Sequence, residues 1–274
     1  MIIVNVSWNE FVKKIQNSAL IAEKDPYGIK YAGSREDVRA CQKLRFRVFN
    51  QEQGKCTGSL SHEQLDQDDF DDKAVHLLVY ENAQKQVIGT YRFICPADSV
   101  SGMYSSKEFQ ISGLDEILIK TLEVGRSCVD PAHRDGSAVA LLWNGIAETM
   151  RRTGMRYLIG CASLEDTRPA AAMALYEHFC RTGMLDPHVS ATPRKAYQLD
   201  EFSEDEVKTF LNDSSALREL LPPLMKGYMR LGAKICGKPA FDREFGTIDF
   251  LILLDVARLP ERYSRHFNIK VEAV

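Results

Sequence analysis

Residues 121–153 read TLEVGRSCV, then DPAHRDG, then SAVALLWNGIAETMRR and Thr153. No other stretch restricts the fold as much. The first piece is apolar enough for a strand yet holds Glu123 and Arg126. The second contains a proline and a glycine, and the third repeats apolar residues at helical spacing. Strand, turn and helix are predicted in that order, with Ser137 as N-cap behind Gly136. A carboxylate inside such a strand must be paired or protonated, and Arg45 and Arg92 are the available partners. Glu123 and Arg126 lie three residues apart, so they point to opposite faces unless a bulge intervenes, and Gly125 is the tolerant position for one.

The flanking segments extend the same alternation. EDVRACQKLRFRVFN (36–50) places Val38, Cys41, Leu44, Val48 and Phe49 at helical spacing. AVHLLVY and QVIGTYRFIC read as two strands joined by ENAQK, an antiparallel hairpin. MRYLIGCASL reads as a strand and RPAAAMALYEHFCRTG as a helix closed by Gly183. Beyond residue 184, EDEVKTFLND and SALRELLPPLMKGYMRLGAK read as helices, the latter broken at Pro222 and Pro223, before the apolar strand GTIDFLILLDV. The fold class expected is α/β. Residues 1–30 form an extension, 31–183 the core, and 184–274 a helical and strand-bearing part that completes the same domain.

Composition narrows the function classes. A 274-residue chain with 45% hydrophobic residues and a net charge of −3 buries a sizeable core and offers nucleic acid no overall attraction. Seven cysteines without a C-x-x-C pair argue against a disulfide framework and a structural zinc site, so no metal is expected. No run approaches the roughly 18 apolar residues of a membrane span, and MIIVNVSWNEFVKK has no secretory pattern. A cytoplasmic protein is expected. The D-P-A-H-R-D-G-S-A turn has the make-up of an anion site: helix N-terminal amides, a glycine permitting close approach, and His133 and Arg134 as cations.

Four blocks then converge. RFRVF (45–49), DDFD (68–71), VIGTYRF (87–93) and EVGRSCV (123–129) occur in the order and spacing found in acyl-homoserine-lactone synthases, acyltransferases of the GNAT superfold. Over residues 30–268 the chain more closely resembles the ornithine-lipid N-acyltransferases, often called hemolysin-like, through LDQDDFDDKAVHLLV, EVGRSCVDPAHRDG, LPPLMKGYMRLGAKICGKPAFDREFGTIDF and ERYSRHF. The resemblance implies a GNAT-like, mostly antiparallel sheet flanked by helices. It implies transfer of a fatty or 3-hydroxyfatty acyl group to the α-amine of an amino acid, with ornithine as the first acceptor to test.

By the same resemblance, Arg45, Phe49, Asp68, Asp71, Arg92, Glu123 and Arg126 form a polar active-site network. Glu123 is the general base, Arg92 and Arg126 act beside it, and the backbone around Cys128 and Val129 polarises the thioester. His133, Arg134, Gly136, Ser137 and Ala138 hold the phosphopantetheine phosphate. A histidine leads this loop where the superfold usually has glutamine or arginine, which favours acyl-carrier protein, with its single phosphate, over coenzyme A as donor. Val75 stands before His76 where the lipid-forming relatives usually have an acid, a difference that bears on amine specificity.

No tightly bound cofactor is expected, and the lipid product implies peripheral contact with the inner membrane. Asp66, Asp69 and Asp72 read as solvated loop, His76 as a core histidine, and Cys128 as an inert thiol, so direct transfer is expected. Lys226, Arg230 and Lys234 at four-residue spacing, and Arg151 with Arg152, are candidate surfaces for an acidic carrier protein. Alternatives are a long-chain N-acyl amino acid or homoserine lactone signal synthase and, from another class, a non-catalytic acyl-carrier or lipid-binding module.

Overall fold

The computed structural model describes residues 8–16, 20–55, 63–95 and 100–267. Cys56 and the seven amino-terminal residues lie outside them. In chain order the elements begin with α1 (Trp8–Gln16), β1 (Leu20–Lys24), β2 (Tyr27–Tyr31), α2 (Arg35–Arg45) with a π-helical continuation over Phe46–Glu52, β3 (Val75–Glu81) and β4 (Val87–Ile94). Then come β5 (Phe109–Ser112), β6 (Thr121–Val129), α3 (Ser137–Thr153), β7 (Tyr157–Leu164), α4 (Pro169–Arg181) and β8 (Ser190–Pro193). The chain continues through α5 (Glu204–Asn212), α6 (Ser214–Leu220), α7 (Pro223–Arg230), β9 (Lys234–Ile235), β10 (Ala240–Asp242), β11 (Thr247–Asp255) and α8 (Glu261–His266). The strands and helices expected from periodicity are present, and the long C-terminal helix breaks at the two prolines as their missing N–H requires.

These elements form two compact units. The first takes its described residues from 8–95, 119–156 and 266–267, the second from 100–118 and 157–265. In the first, β1, β2, β3, β4 and β6 are hydrogen-bonded in that order, every pair antiparallel. In the second, β7, β11 and β10 form an antiparallel sheet to which β9 adds, and β5 pairs with β8. The α/β, mostly antiparallel architecture is thus seen in both. Among the described residues no helix is long and apolar enough to cross a membrane.

Register decides what each face of the first sheet carries. Ile29, Leu77, Val79 and Gly89 point to one side and meet α3. His76, Thr90 and Arg92 point to the other, beneath α2. Ser34 caps α2 by accepting from the Asp37 amide at 3.2 Å, and Glu36 and Asp37 suit the first-turn dipole. After Arg45 the helix loosens to π geometry, which adds a residue per turn while keeping Val48 and Phe49 buried.

On the opposite face, α3 lies close to the strands because Gly145 has no side chain. A Cβ there would stand 2.6 Å from Leu77 Cδ2 and 2.7 Å from Ile29 Cδ1, both fully buried side chains. Gly145→Ala is therefore expected to cost about 1–3 kcal/mol through overpacking. A thermal melt should show a Tm several degrees lower; an unchanged Tm would mean that α3 does not seat this closely.

Candidate active site

The centre of the first unit's polar face is Arg45, a fully buried arginine at the last position of α2. Its Nε donates to Asp66 Oδ1 at 2.7 Å, and Nη1 and Nη2 donate to Asp71 Oδ1 and Oδ2 at 3.1 and 2.7 Å. Nη2 also reaches the Asp66 carbonyl at 2.5 Å. Arg92 on β4 donates Nη1 to Asp68 Oδ1 at 2.5 Å and to Asp71 Oδ1 at 2.9 Å. Arg126 on β6 completes the chain of charges, giving Nη2 to Asp68 Oδ2 at 3.0 Å with Nη1 3.7 Å from Asp66 Oδ2. Gln42, one helical turn before Arg45, adds an amide donor to Asp71 at 2.9 Å. Three guanidinium groups thus balance three carboxylates, which is what permits burial of so many charges.

Burial grades across this network. The side chains of Arg45, Asp66, Asp71 and Arg92 are at most 2% exposed, whereas Asp68 and Arg126 keep 16% and 12%. Asp68 and Arg126 are its open rim. Burial pushes the Asp71 carboxyl up, but the Arg45 guanidinium, with Arg92 and Gln42, overrides this and holds it well below the usual carboxylate range. Asp68 is lowered too, burial again being outweighed by Arg92 and Arg126. His76, paired across the strands with Arg92, is pushed down to about 4 by burial and by the positive field of Arg45. It is neutral at physiological pH.

A β-bulge brings Glu123 and Arg126 onto this face together. Arg92 is opposite Gly125 and Thr90 opposite Cys128, so two residues of β6, Arg126 and Ser127, oppose the single Tyr91. The irregularity falls one residue later than Gly125, the position expected for it, and Arg126 itself adopts φ 51°. Glu123, opposite Ile94 and only 3% exposed, therefore shares its face with Arg92, and the bulge turns Arg126 to the same side. Cys128 also lies on this face, its thiol raised far above the ordinary range by burial. Burial thus disfavours its thiolate form.

A buried acid beside a rim of fixed charge is an arrangement for proton transfer and for gripping a charged small molecule. Residues 44–144 match the family model described as an acetyltransferase (GNAT) domain. The L-ornithine N(alpha)-acyltransferase of Brucella abortus (strain 2308) is 36% identical over 88% of this chain and 88% of its own length. The chain belongs to that family. It is an acyltransferase. The enzyme of the same name from Rhodobacter capsulatus is 30% identical, over 90% of this chain and 96% of its own. Among solved structures, FeeM, an N-acyl amino acid synthase from uncultured soil microbes, aligns with 85% of this chain and 94% of its own at 13% identity and a TM-score of 0.46.

The acyltransferase's loop before α3 carries the other residues singled out from sequence. Gly136, not Ser137, is the N-cap: it sits at φ 98° with open space where a Cβ would be, and the intrahelical ladder starts from its carbonyl to the Ala140 amide at 2.9 Å. Ser137 is the first helical residue, its amide taken by Asp135 Oδ1 at 2.9 Å. Ala138 follows, fully buried. Arg134 donates both terminal nitrogens to Glu52, at 2.6 and 2.8 Å, and Nε to the Val129 carbonyl at 3.1 Å. The π-helix, which ends at Glu52, is thereby tied to the loop. His133 packs edge-on against Tyr27, ring centroids 6.0 Å apart. Phe49 is buried within the π-helix, with the Lys55 ammonium 5.8 Å above its ring.

Two further expectations are corrected. Asp66 is not solvated loop but 1% exposed and bound to Arg45; Asp69 and Asp72 are exposed as expected. The signal was its place after Leu65, itself buried, in a segment that had to neutralise more than one arginine. Lys226, Arg230 and Lys234 form no helical stripe, because α7 ends at Arg230 and Lys234 lies in β9 with Nζ on the Gly183 carbonyl at 2.8 Å.

The shifted groups set the acid response. His76 and Asp71 both have folded pKa values below their unfolded ones, so their stabilisation is present above the unfolded value and lost as pH falls through the folded one. For His76 that window runs from about 6.5 in the unfolded chain to about 4 when folded. For Asp71 it begins near pH 4 and extends below. Calorimetry from neutral to acidic pH should show Tm falling in two stages. Asp71→Asn should cost about 3–5 kcal/mol at neutral pH by stranding buried guanidinium charge and should flatten the lower stage; a lower stage as steep as in the wild type would show that Asp71 is not its source.

Proposed function

We propose that the enzyme transfers a fatty or 3-hydroxyfatty acyl group from the phosphopantetheine thioester of acyl-carrier protein to the α-amine of ornithine, making an acyl-ornithine lyso-lipid. The observation that carries this reading is Glu123, an acid 3% exposed on the sheet face that also bears the three-arginine, three-aspartate network. The family names supply the acceptor. The carrier-protein donor rests on the loop before α3, whose arginine is already clamped by Glu52. Its remaining grip comes from the first-turn amides beyond Ser137, whose own amide is held by Asp135, and from the open approach at Gly136, enough for one phosphate and weak for a pyrophosphate.

Each group has a task in this reaction. Ornithine carries a carboxylate and two amines, and the exposed edges of Arg126 and Asp68 are matched to the carboxylate and the side-chain ammonium. Glu123 takes the proton from the α-amine, whose lone pair attacks the thioester carbon. The oxygen that becomes negative is met by β6 backbone amides next to the bulge, around Cys128 and Val129. As the intermediate collapses, the C–N bond is complete, the C–S bond breaks and the pantetheine thiol leaves with a proton. Cys128 stays a thiol, so transfer is direct. An acyl-ornithine partitions into lipid, which calls for contact with the inner membrane surface at release.

The test is mass spectrometry of reactions containing purified protein, a pool of amino acids including ornithine, and palmitoyl- or 3-hydroxypalmitoyl-carrier protein, with acyl-coenzyme A in parallel. An acyl-ornithine formed faster from the carrier-protein donor is the expected outcome. No amide from either donor, with the thioester intact, would overturn the reading. Glu123→Gln, which keeps shape and removes basicity, should lower kcat by about 10²-fold or more. A rate within threefold of wild type would leave Glu123 without its role.

A further inference from the structure

The second unit buries acids that the acyl-transfer chemistry does not use. Register places Cys161 of β7, Asp249 and Thr247 of β11, and Asp242 of β10 on one face of that sheet. Leu251, Leu253 and Ile159 make this face the floor of an apolar core. Onto it comes Glu108, the residue that enters β5, held by its carbonyl accepting from the Arg194 amide at 2.8 Å. Glu108 is 1% exposed, and its side-chain oxygens lie against the Cys161 thiol and the Asp249 carboxyl without a well-formed hydrogen bond to any other donor. The charges acting on it most strongly are Asp249 and Asp242, both acidic. Thr247 Oγ1, on the same face and fully inaccessible, also lacks a partner.

We propose that Glu108, Cys161 and Asp249 form a binding site for one zinc-like divalent cation, which ties β7, β11 and the segment entering β5 together. One ligand atom from each lies within 4.8 Å of the others. Bond lengths of about 2.0–2.3 Å set tetrahedral zinc ligands roughly 3.5 Å apart, so binding draws the three inward by about an ångström, the scale of a rotamer adjustment. A thiolate among carboxylates selects a borderline metal over calcium or magnesium, which take oxygen ligands. A cation also answers what this core otherwise leaves open, since buried carboxylates side by side must be neutralised. Cys161 is half-buried and gives the ion a route in. The proton of the Cys161 thiol and any proton held on Glu108 are released as the metal enters, so affinity drops as the pH is lowered. Successive ligands lie 53 and 88 positions apart in sequence, which is why no short motif announced them.

The full-length protein, stripped with chelator and dialysed, is titrated with Zn2+ and with Co2+. One equivalent of zinc by elemental analysis, a thiolate-to-cobalt absorption band, and a Tm raised by several degrees at 100 Kd are expected. Cys161→Ser should abolish the band and the bound equivalent, and Glu108→Gln should weaken binding about 10–100-fold. Cys161→Ala serves the same purpose if the serine variant does not fold. Uptake that persists in the Cys161 variant would place the metal on other cysteines and overturn the proposal. So would zinc that neither binds nor shifts Tm, in which case Glu108 and Asp249 share a proton instead.

Discussion

Most of the first unit is arranged around one interaction, the guanidinium of Arg45 buried between Asp66 and Asp71. An unpaired cation at that depth would cost several kcal/mol at least, so the loop carrying both aspartates has to close over the end of α2. That closure fixes the rest. Asp71 accepts from Arg92 as well as Arg45, so the helix is registered against β4, and Asp68 then faces Arg126 of β6. Gln42 and the Asp66 amide, which donates to the Gln42 carbonyl at 3.2 Å, bind the same loop along the helix. Replacing the whole set by apolar side chains would satisfy packing equally well; what it would remove is a rim of oriented charge.

That rim exists because β6 is irregular. An unbroken strand would send Glu123 and Arg126 to opposite faces, separating the acid from the guanidinium. The extra residue opposite Tyr91 returns Arg126 to the acid's side, at the expense of a positive φ on a non-glycine residue. The local strain is held in place by the ion pairs that Arg126 makes with the aspartate loop, and those pairs depend on Arg45. Bulge and buried arginine are two parts of one device.

The sequence made legible whatever is written in local pattern. Helix α2, the β3–β4 hairpin, β6 and α3 follow from periodicity, and the break between α6 and α7 from Pro222 and Pro223. Features that depend on side chains distant in sequence were less visible. Asp66 resembles Asp69 and Asp72 in composition and differs only in facing an arginine 21 positions earlier. The bulge shifted from Gly125 to Arg126 because the aspartates rewarded that placement of the guanidinium, a gain no local propensity encodes. Ser137 had the chemistry of a cap, but Gly136 could take the left-handed conformation and Asp135 could reach the Ser137 amide, so the cap moved back by one.

The balance of charge explains how this polar core could stay ionised through the proposed acid–base reaction. Three arginines meet three aspartates, and His76, which would add a fourth cation, is kept neutral by burial and by Arg45. Glu123 sits on the same face as this compensated set. A proton arriving on Glu123, as the proposed transfer requires, therefore changes the charge of the face by one unit against a background fixed by paired ions, and His76, held neutral, is not ready to take that proton at neutral pH. The same logic holds at the loop before α3, where Arg134 is compensated by Glu52. In the proposed reaction, a phosphate arriving there must either draw that arginine away or bind without it. Either way the grip in that proposal is moderate, which suits the proposed donor, a substrate carried on another protein that has to leave after each turnover.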